Sequence, residues 1–218
     1  MHMMKFLIIP VTPFQQNCTL LWCERTLSAT LIDPGGDPVR LLAAVEQNGL
    51  KLVNLLLTHG HVDHVGAAAE LAARFAVPVI GPHRADAYWL DDLPQQSAKH
   101  GFPHAAPLTP DRWLEHGDQV SVGDETLEVL HCPGHTPGHV AFFHRGERMA
   151  FVGDVLFQDS IGRTDFPGGS LETLMSSIHE RLLPLGDDVV FIPGHGPNST
   201  FGEERRNNPY LRNDSPPA

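Results

Sequence analysis

Cysteine is scarce in this sequence of 218 residues, with only Cys18, Cys23 and Cys132 present. Their odd number and the lack of a CxxC pair argue against a disulfide framework, so we expect reduced thiols and a cytoplasmic location. Long apolar runs are also missing, and none approaches the ~20 residues that a membrane helix needs. Residues 1–13 lack the charged start and apolar centre of a signal peptide. We therefore expect no membrane partner.

Positive charge is the second scarcity, because 15 Lys and Arg residues stand against 26 Asp and Glu residues, which gives a net charge of −11. A protein that follows a phosphate backbone needs clustered Lys and Arg on one face, so we expect no nucleic-acid partner. The composition does not exclude an anionic small molecule, because bound divalent cations reverse the sign of the field inside a site.

Histidine, in contrast, is abundant, and the chain contains 14 of them. Many stand beside Gly, Asp or Pro in sequence that predicts loops, where neither core packing nor a solvated surface requires them. A metal site is the most economical explanation of this distribution.

The pattern of apolar residues predicts alternating strands and helices along the whole chain. Short runs rich in β-branched residues predict strands at 5–9, 18–23, 29–33, 52–57, 77–80, 119–122, 126–131, 139–144, 149–153 and 188–192. Helical spacing predicts helices at 38–49, with Asp37 as the N-cap, and at 66–75, 84–90 and 171–183. The polar, proline-containing stretch 91–110 predicts a surface loop or lid. With no linker or composition break, the order of elements favours one domain over 1–218, with two sheets flanked by helices and a polar tail at 207–218.

Four ligand-type side chains follow the strand predicted at 52–57, on the turn into the next helix. In this run, His59 and His61 alternate on one side of an extended segment, and Asp63 and His64 turn back as the helix starts. Imidazole and carboxylate are donors that suit zinc, iron or manganese, and four donors exceed the needs of one ion that keeps an open position. The run therefore suggests two divalent ions, with further ligands from elsewhere.

Three other strand ends supply candidates for those ligands. His135, Asp154 and His195 each follow a strand-like run, and each is preceded by glycine. Glycine there lets the backbone turn tightly, so that a side chain at the end of a strand can point into a shared cleft. We expect these three residues to meet the first cluster.

Taken together, these residues resemble the metallo-β-lactamase fold superfamily, and within it the short glyoxalase II-like hydroxyacylglutathione hydrolases. The segments that carry the resemblance are 58–66, 132–139, 153–154, 160–169 and 193–196. It implies an α+β fold, the four-layer αββα sandwich with two mixed sheets. It also implies the ligand sets: one ion held by His59, His61 and His135, a second held by Asp63, His64 and His195, and Asp154 bridging both.

The resemblance further implies a binuclear metallohydrolase that cleaves a small-molecule thioester, S-lactoylglutathione or a related glutathione conjugate, by attack of a metal-bridging hydroxide. Asp63 is the expected catalytic residue, because at the second ion it can orient water or accept a proton. Zinc is the first expectation for the metal, with iron and manganese as alternatives. Many zinc β-lactamases present cysteine where this chain has Asp154, so a lactamase is disfavoured.

Substrate recognition and the rival functions depend on segments outside the ligands. Long glyoxalase II enzymes carry a helical C-terminal domain that contacts glutathione, whereas about twenty residues follow His195 here. We expect Arg163, Arg205, Arg206 and Tyr210 to substitute in part. Mononuclear-iron persulfide dioxygenases of the same fold resemble the chain at 162–166, with ligands at positions matching His59, His135 and Asp154. A lactonase and a metal sensor without turnover remain as further alternatives.

Overall fold

The computed structural model describes residues 4–212, and the first of its two large sheets is built from the N-terminal strands. These strands are β1 (Met4–Val11), β2 (Gln16–Cys23), β3 (Ser28–Ile32), β4 (Lys51–Leu56) and β5 (Val79–Ile80). They lie side by side in chain order. β1, β2 and β3 pair antiparallel, whereas β3, β4 and β5 pair parallel. The first sheet is therefore mixed, as expected.

The second large sheet contains six strands from the C-terminal half. They are β6 (Gln119–Val122), β7 (Glu125–His131), β8 (Val140–His144), β9 (Met149–Gly153), β12 (Val190–Pro193) and β13 (Ser199–Thr200), and a small hairpin of β10 (Leu156–Phe157) and β11 (Ser160–Ile161) follows β9. The spatial order is β13-β12-β9-β8-β7-β6. Only the β9–β12 pair is parallel. The parallel pair places the ends of β9 and β12 at the same edge.

Seven α-helices connect or cover these strands within residues 4–212. Their bounds are α1 (Pro38–Gln47), α2 (Val62–Val65), α3 (Ala68–Phe75), α4 (Ala87–Asp91), α5 (Leu93–His100), α6 (Leu171–Ser177) and α7 (Phe201–Asn207). A 3₁₀ turn at Arg84–Asp86 precedes α4, and a π-helical turn at Ile178–Leu182 continues α6. None of the helices in this part of the chain is both long enough and apolar enough to cross a membrane.

Three separate apolar clusters show that the elements form four layers. Alternate residues of a strand point to opposite faces, and in β4 Leu55 belongs to a cluster with the helices α1 and α3, whereas Leu56 belongs to the cluster between the sheets. In β8, Phe142 faces the first sheet and Phe143 faces α6 and α7. The order helix, sheet, sheet, helix follows, and the predicted fold class is confirmed.

Two local predictions from the sequence are correct only in part. Asp37 stands at the N-cap position of α1 as predicted, but its side chain makes no capping hydrogen bond; its backbone is left-handed (φ 51°), and its Oδ2 instead accepts a hydrogen bond from the Thr12 N–H at 3.0 Å. The stretch 91–110 is not wholly a loop, because α5 occupies its first half. Pro94 is tolerated there because it stands in the first turn of the helix, where its missing N–H has no intrahelical partner to lose.

Truncation of Phe142 tests the core between the sheets. Phe142 is fully buried, so Phe142→Ala should lower the free energy of unfolding by about 3–5 kcal/mol through lost burial and a residual cavity. Phe14, which is 47% exposed, offers the matched control, and Phe14→Ala should cost at most about 1 kcal/mol. Urea unfolding followed by circular dichroism measures both. Equal losses in the two variants would contradict the four-layer packing.

Candidate metal centre

The ligand-type residues lie at one edge of the paired sheets. His59, His61, Asp63 and His64 follow β4 of the first sheet, while His135, Asp154 and His195 follow β7, β9 and β12 of the second. The structure thus brings all seven predicted residues together from four strand ends. Whether each of them holds metal stays a prediction.

A first cluster of three ring nitrogens forms around His61. Its Nδ1 lies 3.0 Å from Nε2 of His59 and 3.0 Å from Nε2 of His135. On the outer side, His59 Nδ1 donates to the Thr58 hydroxyl at 3.0 Å and His135 Nδ1 donates to the Arg163 carbonyl at 2.7 Å. These bonds fix the tautomers of His59 and His135, so their inner nitrogens present lone pairs toward His61, whose own Nε2 is buried without a hydrogen-bond partner within residues 4–212. Lone pairs that converge without a proton between them suit a shared cation.

A second cluster contains Asp63, His64 and His195. Oδ2 of Asp63 lies 3.2 Å from His195 Nε2 and 3.7 Å from His64 Nε2. His195 Nδ1 donates to the Phe14 carbonyl at 3.1 Å, so its Nε2 also faces inward with a lone pair. The donor atoms of each cluster all lie within 4.8 Å of one another.

Asp154 stands between the two clusters. Its Oδ1 is 3.4 Å from His64 Nε2, and its Oδ2 is 3.7 Å from both His135 Nε2 and His195 Nε2. His64 Nε2 and Asp154 Oδ1 are both buried without a hydrogen-bond partner within residues 4–212. Such orphaned atoms are costly unless another group binds them. The donor set therefore fits two cations that share Asp154.

Burial and mutual proximity set the protonation of these groups. Burial lowers the pKa of His59 well below its usual value, and the neighbouring imidazoles lower it further; burial also lowers the pKa of His61 to about 3. Burial alone would raise the pKa of Asp154, but His64 and His135 outweigh it and hold that pKa far below its usual range. Neutral imidazoles and ionised carboxylates are the forms that bind metal.

Asp33, at the end of β3, is a functional residue that the sequence analysis missed. Its Oδ1 accepts from the Thr58 N–H at 2.7 Å, and its Oδ2 accepts from the Thr58 hydroxyl at 2.6 Å and from His64 Nδ1 at 2.8 Å. Asp33, His59 and His64 are close enough to form a third cation-binding group. We assign Asp33 an orienting role instead, because both of its oxygens are already occupied by donors.

Asp86, just before α4, is a second missed residue and is fully buried. Its Oδ2 accepts from the Gly60 N–H at 3.0 Å and from the Thr136 hydroxyl at 2.7 Å, and its Oδ1 accepts from the Gly138 N–H at 2.6 Å. Burial raises the pKa of Asp86 to about 6 against these donors, which leaves it ionised at neutral pH. One carboxylate therefore joins the loop that carries His61 to the loop that carries His135.

The glycines before the ligands have two different roles. Gly134 and Gly153 have positive φ values of 137° and 49°, so their backbones take turns that side chains disfavour, as expected. Gly194 has no positive φ. A Cβ there would collide with Asp154 Oδ1 and would lie 2.6 Å from His64 Cε1, so Gly194 is required for space.

His139 supports the clusters from behind and contributes no ligand atom to either. It is buried, its ring stacks on that of His59 with centroids 4.8 Å apart, and its Nε2 accepts from the Asp154 N–H at 3.0 Å. Cys132 is buried as well, and burial raises the pKa of its thiol to about 12.

A cavity of about 960 Å³ opens onto both clusters. Arg163 lines it, but its guanidinium forms two hydrogen bonds with Asp165, at 3.0 and 2.7 Å, and lies 4.6 Å from the centre of the Phe166 ring. Arg163 is therefore both an ion-pair partner and part of the cavity wall. A role in substrate binding stays a prediction.

The other three predicted substrate-binding residues do not line the cavity. Arg205 binds Asp187 Oδ1 and the Leu183 carbonyl, both at 2.9 Å, and Arg206 pairs with Glu203 at 3.1 Å. Tyr210 is 44% exposed. Arg205 is bound to groups outside α7, Arg206 is paired within α7, and none of the three residues lines the cavity, so the geometry gives them no support as substrate contacts.

The predicted tail begins with a packed segment. Asn208 is fully buried, and its side-chain N–H groups donate to the carbonyls of Phe157 and Ser160 at 3.3 and 3.0 Å. Leu211 is also buried. Residues 213–218 of the predicted tail lie outside the described residues.

The fold and the side chains at its edge together define a metal-binding enzyme on a two-sheet scaffold. A sequence model of the metallo-beta-lactamase superfamily matches residues 11–195, and the chain belongs to that superfamily. The Haemophilus influenzae protein described as hydroxyacylglutathione hydrolase GloC is 48% identical over 97% of this chain and 100% of its own length. The chain is accordingly a metallohydrolase, and the predicted recognition is confirmed.

Two solved structures share the fold over nearly the whole chain. The crystal structure of BLEG-1 B3 metallo-beta-lactamase has a TM-score of 0.88 and 38% identity, and the match covers 95% of this chain and 99% of that one. The crystal structure of TTHA1623 in a di-iron-bound form has a TM-score of 0.84 and 38% identity, covering 94% and 100%. The αββα architecture is thus confirmed from sequence and structure alike.

Asp86 provides a test of how the ligand loops are held. Asp86→Asn turns an amide donor toward backbone and hydroxyl donors, so the His61 and His135 loops should separate and metal affinity should fall about 10–100-fold. The matched control is Asp91→Asn, an exposed acid on the same helical segment. Competition with a chromogenic chelator measures the affinity, and unchanged metal binding in Asp86→Asn would refute this role.

Proposed function

We propose that this protein is a binuclear metallohydrolase that cleaves acyl-glutathione thioesters such as S-lactoylglutathione. The observation that carries the proposal is the pair of donor clusters sharing Asp154 at the floor of a large cavity. The similarity to a hydroxyacylglutathione hydrolase over the full chain supports the substrate class. Two divalent ions bound there would polarise a carbonyl oxygen and bring the pKa of a coordinated water to about 7.

The chain's own residues contribute position and charge to this reaction. His59, His61 and His135 would hold one ion, Asp63, His64 and His195 the other, and Asp154 both. Asp63 is the proposed catalytic residue, since its Oδ2 belongs to the second cluster and its side chain lines the cavity. Burial alone would raise the pKa of Asp63, but His64 and His195 lower it, so its carboxylate can orient a water proton at neutral pH.

The metal and the compartment form part of the same proposal. Imidazole and carboxylate donors without thiolate suit zinc, and they suit iron and manganese as well. The di-iron form of TTHA1623 supports iron as an alternative to zinc. All three cysteines are free and buried, which supports the predicted cytoplasmic location. A small-molecule substrate, with neither nucleic acid nor membrane as partner, remains our expectation.

The first test is hydrolysis by metal-loaded protein. Wild-type protein should hydrolyse S-lactoylglutathione, and His59→Ala and Asp154→Asn should each lower kcat/KM at least ~100-fold, because each removes electrostatic stabilisation of the developing oxyanion. His179→Ala changes an exposed histidine and is the matched control. Thiol release measures the rate, and circular dichroism checks folding. Wild-type turnover no faster than that of His59→Ala would exclude this substrate.

Persulfide dioxygenation by a single iron is the rival that the ligand set alone leaves open. The arrangement of Asp63 and His195 favours the binuclear enzyme, because both face a second cation position. We expect two metal ions per chain and no oxygen uptake with glutathione persulfide. Metal analysis and an oxygen electrode measure these quantities. One iron per chain with oxygen consumption would establish the dioxygenase instead.

Hydrolysis of β-lactams or lactones is a second candidate, since BLEG-1 is described as a B3 metallo-beta-lactamase and is 38% identical. The same clusters suit attack on an amide or ester carbonyl. A chromogenic cephalosporin and a homoserine lactone belong in the same assay. A kcat/KM for either that exceeds that for the thioester would replace the proposed substrate class.

A further inference from the structure

The cavity-lining face of α5 is polar along its whole length. The lining residues of this segment follow the spacing i, i+3, i+4, i+7 and i+8, and they are Asp92, Gln95, Gln96, Lys99 and His100. The other face packs against the fold, where Leu93 and Ser97 are buried. Packing uses the opposite face, so Gln95 and Lys99 on the polar face are exposed and can contact a molecule in the cavity.

Gln96 fixes this face beside the ligand turn. Its Oε1 accepts from the Val62 N–H at 3.0 Å, and its Nε2 donates to the Trp89 carbonyl at 2.8 Å and the Gly60 carbonyl at 3.3 Å. Lys99 lies three residues further, about 4.5 Å along the helix axis. The ammonium group of Lys99 can therefore contact a part of the substrate that lies about one helical turn away from the clusters.

Lys99 has no compensating acid. Within residues 4–212, no ion pair or side-chain hydrogen bond involves Lys99 or Gln95, whereas the other cation of the cavity wall, Arg163, is paired with Asp165. Of the acids in the wall, Asp63 and Asp154 belong to the clusters, and Asp92 lies seven residues before Lys99, about 10 Å along the helix. The free ammonium therefore favours an anionic group.

Other parts of the cavity lining are apolar. Phe157, Ile161 and Phe166 line it. Phe14 also lines the cavity; its ring centroid lies 5.8 Å from that of His100, and its carbonyl accepts a hydrogen bond from His195. A molecule that fits has one polar, anionic edge and one apolar edge.

We propose that Gln95 and Lys99 bind the thiol portion of the substrate, and that this portion carries a carboxylate and a peptide amide. This inference rests on the proposed thioester hydrolysis. The Lys99 ammonium pairs with the carboxylate, the Gln95 amide hydrogen-bonds the peptide group, and methylene groups lie against Phe157 and Phe166. Glutathione has this chemistry, whereas a short neutral thiol leaves Lys99 without a partner. On this assignment α5 provides the specificity that we had expected from Arg205, Arg206 and Tyr210.

The test compares two lactoyl thioesters, one of glutathione and one of the neutral thiol N-acetylcysteamine. Lys99→Glu should lower the ratio of their kcat/KM values, glutathione over neutral, at least ~10-fold, and Lys99→Gln should lower it by a smaller factor, both through KM. Lys51→Glu makes the same charge change at the exposed start of β4, at the opposite end of that strand from His59, and should leave the ratio unchanged.

A binding measurement separates this inference from the proposed function. Calorimetry with S-methylglutathione, a thioether that cannot be hydrolysed this way, should show at least ~10-fold weaker binding to Lys99→Glu than to wild type or Lys51→Glu. If wild type hydrolyses both thioesters and Lys99→Glu changes neither the ratio nor the binding, the inference is overturned and the hydrolase stands. If wild type hydrolyses neither, the proposed function fails, and Lys99-dependent binding alone still supports the carboxylate contact.

Discussion

Asp33 accepts three hydrogen bonds at the point where β3 and β4 end side by side, and both donor clusters depend on it. It holds His64 directly, through Nδ1 at 2.8 Å, and it holds His59 through the Thr58 hydroxyl, which donates to Asp33 and accepts from His59. A carboxylate behind a histidine fixes which ring nitrogen faces the ion. Asp86 performs the equivalent task between the His61 and His135 loops. Two buried acids that are not themselves proposed as metal ligands therefore set the geometry of the proposed ligand atoms.

The sequence predicts those features of the site that depend on residues close together in the chain. The spacing of the ligand-type residues between His59 and His64 can be read directly from the sequence. The apolar run of β4 before them predicts that they lie at the end of a strand. The two sheets follow from the apolar runs that predict strands. The convergence of His135, Asp154 and His195 follows from their positions after a strand and a glycine. The positive φ values at Gly134 and Gly153 agree with this reasoning, because a tight turn is a local property of the chain.

Contacts between distant segments leave no such pattern and could not be predicted. Asp33 and Asp86 resemble ordinary turn acids, and their partners are distant in sequence. Gly194 reads as another turn glycine, although the structure needs it for space beside Asp154. The helix α5 was missed because its proline and polar residues suggest a loop. It is stable because Leu93 and Gln96 anchor it to the ligand turn, which is a tertiary contact that outweighs local propensity.

These two kinds of information correspond to two kinds of function. The chemistry resides at strand ends, where rigid sheets can hold seven donor groups at fixed separations, and burial keeps His59 and His61 neutral. Specificity resides in the connections, which vary without disturbing the sheets. A chain with net charge −11 repels anions at long range, so an anionic substrate needs positive charge at the cavity itself. Cations bound by the two clusters would supply it at one end, and we propose that Lys99 on α5 supplies it at the other.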